Sequence, residues 1–197
     1  MKVTEIAPGL LYWTAPHPAW RGATDWPEDV GCVYYEASDG VALIDPLIPK
    51  GEEDEFWEML DDAIGRAGLR VFVLLTAPWH ERSARIVAER YDTEVWLHES
   101  GLPLPADVEV FVPGGSTERQ VAFFLRPLRA LVVAEFFIGV PGGLRVCPSP
   151  ALADRDAFDE SLRTLMELPI DHVLVSHGEP VLGDGRRKIA KALEADA

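Results

Sequence analysis

The chain has 197 residues, 48% of them hydrophobic, which is enough to build one globular domain over residues 1–197 with a sizeable core. Its formal net charge of −15 argues against a nucleic-acid partner, because only Arg186, Arg187 and Lys188 approach the clustered cations that phosphates need. The apolar runs are shorter than the roughly 20 residues of a membrane span, and the first residues carry no signal-peptide core, so we expect a soluble cytoplasmic protein.

The first 45 residues predict two β-hairpins separated by a long loop. Apolar and β-branched residues flank two turn signals, Ala7-Pro8-Gly9 and Ser38-Asp39-Gly40. The loop, residues 15–28, is rich in proline and tryptophan, and its aromatic side chains either line a substrate groove or pack the loop onto the protein body. The four predicted strands are Val3–Ile6, Leu10–Trp13, Val30–Ala37 and Val41–Ile44.

The next fifty residues have the pattern of a βαβ unit. Phe56, Leu60 and Ile64 recur at helical spacing, and acidic residues crowd the first turn, where the helix dipole favours them. An apolar strand, a second helix and a further strand follow, and strands joined in this way run parallel. The predicted elements are a helix Gly51–Gly68, a strand Val71–Leu75, a helix Arg82–Tyr91 and a strand Glu94–His98.

The loop after the strand Val71–Leu75 reads T-A-P-W-H-E-R from Thr76 to Arg82. A strand that ends in Leu-Thr and leads into a histidine-containing turn resembles the metallo-β-lactamase superfamily, in which the metal-binding signature H-x-H-x-D-H directly follows the threonine. At the four ligand positions this chain has, in order, Ala77, Trp79, Glu81 and Arg82, and His80 lies one residue out of phase with all of them. The resemblance implies the fold together with a largely erased metal site.

The second half of the chain predicts strands followed by a helix, a strand and a final helix. These elements are Val108–Val112, Val121–Leu125, Leu131–Val133, the helix Asp154–Leu168, the strand Asp171–Val175 and the helix Arg186–Ala195. Cys32 and Cys147 lack the spacing of metal ligands or of a redox pair, so we expect them to be small buried residues.

Other stretches extend the resemblance over most of the chain. Ser176-His177-Gly178-Glu179-Pro180 matches the closing G-H-G-x-P turn of the family, whose histidine binds the second metal. Glu135 stands where the family has a metal-bridging aspartate, whereas Pro113–Thr117 holds no histidine where relatives have a Gly-His-Thr turn. Together these stretches imply an α/β (α+β) fold, a four-layer αββα sandwich of the metallo-β-lactamase type.

Asp45 has two interpretations. Leu43-Ile44-Asp45-Pro46 resembles the L-I-D-T-G element of the family, which implies that Asp45 lies behind the ligand residues and orients them. From the residues alone, an aspartate beside a proline equally caps the turn that follows it.

The pocket predicted from these positions contains Asp45, Thr76, Trp79, His80, Glu81, Arg82, Glu135 and His177. Arg82 is a permanent cation at a ligand position, so we expect it to pair with carboxylates there, with Trp79 and Pro78 filling the space of the missing imidazoles. This favours a pocket without metal or cofactor that binds a small anionic ligand through Arg82, His80 and His177. The alternative is one zinc or iron ion held by His80, Glu135 and His177 in a hydrolase of esters, thioesters or lactones. The oligomeric state is left open.

Overall fold

The computed structural model describes residues 1–22, 26–116, 119–147 and 152–195. The chain divides into two compact units, Met1–Val108 and Glu109–Ala197, and a single domain over 1–197 stays a prediction. Residues 23–25 of the predicted long loop and Thr117 of the predicted Pro113–Thr117 turn lie outside the described residues. No helix in the described ranges is long and apolar enough to cross a bilayer.

The first unit is built on a six-stranded sheet in the order β1-β2-β3-β4-β5-β6. Its strands are β1 (Lys2–Ala7), β2 (Leu10–Pro16), β3 (Asp29–Ala37), β4 (Gly40–Ile44), β5 (Val71–Leu74) and β6 (Val95–Trp96). The first four strands pair antiparallel as two hairpins, and β4, β5 and β6 pair parallel. Both predicted hairpins and the predicted βαβ unit are therefore confirmed.

Two helices provide the parallel connections of the first unit. Helix α1 (Glu53–Ala67) joins β4 to β5, and helix α2 (Ala84–Arg90) joins β5 to β6. The apolar stripe of α1 buries Phe56, Leu60 and Ala63 in a core shared with β2, β3, β4 and β5. The helix ends at Gly68, whose φ of 64° is the left-handed conformation that glycine adopts without strain.

The described residues of the second unit form a four-stranded sheet, a two-stranded ribbon and two α-helices. The sheet has the order β12-β9-β8-β7, with β12 and β9 parallel, and the ribbon pairs β10 with β11. Helices α3 and α4 contribute Phe158, Leu162, Ile189 and Leu193 to its core. These elements are β7 (Val108–Phe111), β8 (Ala122–Leu125), β9 (Ala130–Val133), β10 (Phe137–Val140), β11 (Gly143–Val146), α3 (Arg155–Thr164), β12 (His172–Val175) and α4 (Gly185–Ala195).

The structure differs from the predicted elements in several places, and three of them lie in strand β6, the β10–β11 ribbon and helix α2. Strand β6 has two residues where Glu94–His98 was predicted, and the β10–β11 ribbon was not predicted at all. Helix α2 begins at Ala84 instead of Arg82, because Pro78–His80 forms a separate 3-10 turn and Arg82 has a φ of 38°. A residue in the left-handed region interrupts a right-handed helix, so the predicted helix start is moved by two residues.

Candidate functional site

Asp45 and Thr76 meet at one edge of the first sheet. The parallel register pairs Ile44 of β4 with Leu74 of β5, so the residues that follow these strands emerge at the same edge. Asp45 is only 3% exposed, and its Oδ1 accepts a hydrogen bond of 2.9 Å from the backbone N–H of Thr76. The Thr76 hydroxyl donates to the other carboxylate oxygen, Oδ2. The buried carboxylate is therefore held on both oxygens by its neighbour across the sheet.

His80 completes this group in the first unit. It is 3% exposed and ends the 3-10 turn Pro78–His80, with its Nδ1 lying 2.9 Å from Asp45 Oδ2 and 2.9 Å from Thr76 Oγ1. The Thr76 hydroxyl gives its proton to the carboxylate, so Thr76 Oγ1 and Asp45 Oδ2 can only accept a hydrogen bond from Nδ1. Nδ1 therefore carries the imidazole proton. The remaining nitrogen, Nε2, is then the one with a lone pair available for a metal ion or a proton.

The position of His80 bears on the two interpretations of Asp45. Its carboxylate bonds to Thr76 and His80, which are the contacts that the orienting interpretation requires, and the orienting role itself stays a prediction. His80 is one residue out of phase with the ligand positions, but its side chain is not turned toward solvent, because the 3-10 turn places the imidazole in the protein interior.

The electrostatic surroundings of Asp45 favour its ionised form. Burial by itself would raise the pKa of the carboxyl group, since desolvation disfavours the charge. The interactions with His80, the charge of Arg82 and the Thr76 hydrogen bond outweigh that effect, and the pKa lies below its ordinary value of 3.8. Asp45 is thus a carboxylate at neutral pH despite its burial.

Arg82 lies beside Asp45, and its described hydrogen bonds go mainly to main-chain oxygens. Its Nη1 donates to Gly31 O at 2.8 Å and Asp45 O at 3.0 Å, and it lies 3.6 Å from the Cys32 sulfur. These contacts join β3 to the end of β4. A pairing of Arg82 with the carboxylate of Glu135 stays a prediction.

Trp79 and Glu81 lie at the surface instead of inside the predicted pocket. The Trp79 side chain is 41% exposed, with its ring at 77° to that of His80, so the prediction that it fills the space of the missing imidazoles is wrong. Glu81 is exposed and forms a salt bridge of 2.6 Å with Arg85, one turn along the chain. A 3-10 helix has about three residues per turn, so the neighbouring side chains of Trp79 and His80 leave the turn Pro78–His80 in different directions.

Glu135 and His177 lie together in the second unit. Glu135 follows β9 and His177 follows β12, two parallel neighbours, and His177 Nε2 is 3.4 Å from Glu135 Oε1. The backbone N–H of Gly139, in β10, donates to His177 O at 2.9 Å. Gly178 has a φ of 84° and packs directly against the Gly139 carbonyl, so the turn that presents His177 depends on the missing side chain. His177 itself is 8% exposed.

The donor chemistry of these residues does not fit two metal ions but does fit one. Of the four signature positions after Thr76, two hold Ala77 and Trp79, Glu81 is engaged at the surface, and Arg82 is a cation. The predicted set, His80 in the first unit and Glu135 and His177 in the second, offers two imidazoles and a carboxylate, and its assembly around one ion stays a prediction. This is the ligand number of mononuclear catalytic zinc sites.

Sequence reasoning missed the residues that hold the turn around Arg82. Ser83 N–H donates to Pro46 O at 3.1 Å, and the Ser83 hydroxyl accepts from the backbone N–H of Ile48 at 3.0 Å. The signal was a serine directly before an apolar helical run, which is typical of a helix start but says nothing of the distant segment that it binds. Cys32 was predicted to be a plain buried residue, and the structure adds its contact with Arg82.

We expect Cys32 to react very slowly with thiol reagents in the folded protein. Burial raises the pKa of its thiol to about 11, although the Arg82 charge acts in the opposite direction. The reactive thiolate is therefore scarce at pH 8. Titration with a chromogenic disulfide should show Cys147, which is half-buried, reacting first, and Cys32 only after addition of denaturant. Rapid reaction of both thiols in native protein would contradict this.

Comparison with solved structures shows close likeness of fold at low sequence identity. A metallo-β-lactamase from Erythrobacter litoralis has a TM-score of 0.67 at 16% identity, covering 98% of this chain and 90% of that one. A β-lactamase domain protein from Burkholderia ambifaria has a TM-score of 0.66 at 18% identity, covering 98% and 76%. VMB-1 has a TM-score of 0.66 at 15% identity, covering 100% and 98%.

Comparison with protein-family models gives no match, and comparison with curated protein sequences gives none either. The fold assignment therefore depends on the structural likeness and on the sequence features that anticipated it, namely the Leu-Thr strand end and the Ser176–Pro180 turn. The α/β prediction is confirmed: the chain has the metallo-β-lactamase fold.

Proposed function

We propose that the protein is a metal-dependent hydrolase of the metallo-β-lactamase fold that uses one divalent ion, held by His80, Glu135 and His177. The observation that carries the proposal is the hydrogen bond of His80 Nδ1 to the buried carboxylate of Asp45. An aspartate that fixes the tautomer of a histidine and directs its other nitrogen is a common support of metal-binding imidazoles. Such a buried carboxylate is costly to retain for structure alone.

Each residue has a defined part in this proposal. Asp45, ionised and held by Thr76, keeps the proton of His80 on Nδ1 so that Nε2 acts as a donor. The Gly139–Gly178 contact holds the turn that carries His177, and Glu135 lies beside that imidazole. When bound, a zinc or iron ion would supply a Lewis acid that polarises a carbonyl group and makes water more acidic. We propose a small ester, thioester or lactone as substrate, in line with the net charge of −15, which disfavours nucleic acid.

Metal analysis of the purified protein tests this proposal. Protein from cells supplied with zinc and iron should contain close to one equivalent of metal, and His80→Ala and His177→Ala should each lose most of it. His98→Ala is the matched control, because His98 follows β6 and is not in the three-residue group. Wild-type protein that is free of metal, and that does not take it up on dialysis against zinc, would overturn the proposal.

One observation supports a second candidate, the metal-free pocket for a small anion. Arg82 is a permanent cation beside Asp45, and the planar guanidinium suits the geometry of carboxylate and phosphate groups. Thermal unfolding with acetate, phosphate and other small anions tests this. A stabilisation that vanishes in Arg82→Ala but persists in Arg85→Ala would support it, and no shift with any anion would remove it.

A further inference from the structure

Arg82 and Asp45 share an unusual backbone conformation. Their φ angles are 38° and 50°, in the left-handed region, where aspartate is enriched and arginine is uncommon. Such residues persist only where surrounding contacts hold them. Within the first unit both are joined by one atom, since Arg82 Nη1 donates to the carbonyl oxygen of Asp45 at 3.0 Å.

The same guanidinium nitrogen also binds the neighbouring strand. Nη1 donates to Gly31 O at 2.8 Å, in β3, which lies next to β4 in the sheet. The following residue, Ser83, bonds to the backbone of Pro46 and Ile48. The segment 45–48 is thus tied to residues 82–83 at three points, and Arg82 provides the one nearest the carboxylate of Asp45.

We infer that Arg82 is a positioning residue, which fixes the main chain of Asp45 so that its carboxylate meets Thr76 and the Nδ1 of His80. In these bonds Arg82 reaches His80 only through Asp45. A guanidinium suits this task because it stays charged and presents several fixed donors. Arg82 occupies a position that carries a metal ligand in the family, and holding the main chain of Asp45 is a physical reason for an arginine there. The effect on metal binding depends on the proposed function, whereas the effect on His80 does not.

Nitrogen-15 NMR of histidine-labelled protein tests the inference through the tautomer of His80. Wild-type His80, assigned by comparison with His80→Ala, should be the Nδ1–H tautomer. Arg82→Gly removes the guanidinium while leaving a residue that tolerates a positive φ, so the fold has the best chance of surviving. We expect a substantial Nε2–H population in this variant and a smaller one in Arg82→Lys, whose single ammonium reaches fewer acceptors. Arg85→Ala, whose side chain pairs at the surface with Glu81, is the control and should match wild type.

Two readouts separate the possible outcomes. If one metal ion binds, Arg82→Gly should weaken its affinity by about 10–100-fold in competition with a chelator. If wild type binds no metal but the tautomer still shifts, the positioning role stands and the proposed function falls. A folded Arg82→Gly variant with the wild-type His80 spectrum overturns the positioning role. Should this variant not fold, a wild-type spectrum in Arg82→Lys overturns it equally.

Discussion

Replacing Asp45 by alanine is expected to lower the free energy of unfolding by about 3–5 kcal/mol. The carboxylate accepts from Thr76 N, Thr76 Oγ1 and His80 Nδ1, and all of these groups are buried with it. Alanine removes the acceptor of the Thr76 N–H and hydroxyl groups and one of the two oxygens near His80 Nδ1, and it also strains the backbone at a φ of 50°. The loss should appear as a lower midpoint of urea unfolding at pH 7.

Asp45→Asn separates the charge of Asp45 from its shape. Asparagine tolerates the left-handed backbone and keeps one acceptor oxygen, so we expect a smaller loss at pH 7 than for alanine. The pKa of Asp45 in the folded protein lies below 3.8, so its stabilising effect is present above that value and is lost as pH falls through the lowered pKa. The difference in stability between wild type and Asp45→Asn should therefore shrink as the pH falls below about 4.

Asp92 provides the matched control for both substitutions. It has nearly the same backbone angle, a φ of 49°, but its side chain is exposed at the end of α2. Asp92→Ala should cost about 1–2 kcal/mol through backbone strain alone, and Asp92→Asn little. Equal losses of unfolding free energy in Asp45→Ala and Asp92→Ala would show that the buried hydrogen bonds of Asp45 add nothing to the effect of backbone strain.

The sequence predicted the fold more completely than the site, for a physical reason. Strands and helices follow from hydrophobic periodicity over many residues, and an error at one position does not change the pattern. The β10–β11 ribbon escaped notice because Pro141-Gly142-Gly143 divides one apolar run into two short strands without strong alternation. Strand β6 pairs with β5 at two positions, and the pairing does not continue over the rest of the predicted strand Glu94–His98.

The site depends on single backbone angles that no periodicity encodes. The burial of His80 follows from a 3-10 turn that begins at Pro78, and the contacts of Arg82 follow from its positive φ. The segment Arg82–Ser83 is held by tertiary hydrogen bonds to residues 31, 45 and 46, which are distant in the sequence. The family signature identified the right turn, but the exposed side chains of Trp79 and Glu81 could only be found in the structure.

Replacing Gly178 by alanine is expected to destabilise the protein by about 2–5 kcal/mol and to displace His177. A Cβ atom at Gly178 would lie 2.1 Å from Gly139 O, a main-chain atom of β10 that cannot move without disturbing the strand. The φ of 84° adds the strain of a left-handed alanine. Since the Gly139 N–H also holds the carbonyl oxygen of His177, any separation of the two backbones breaks that bond.

Gly183→Ala distinguishes the steric effect from the backbone effect. Gly183 has a φ of 71°, and a Cβ atom there meets nothing within 4 Å, so this variant should lose only about 1–2 kcal/mol. Urea unfolding of the two variants should thus differ by the steric contribution at Gly178. Because His177 is a proposed ligand, Gly178→Ala should also lose bound metal while Gly183→Ala keeps it. Equal stability of the two variants would mean that the contact with Gly139 relaxes freely and does not hold the histidine turn.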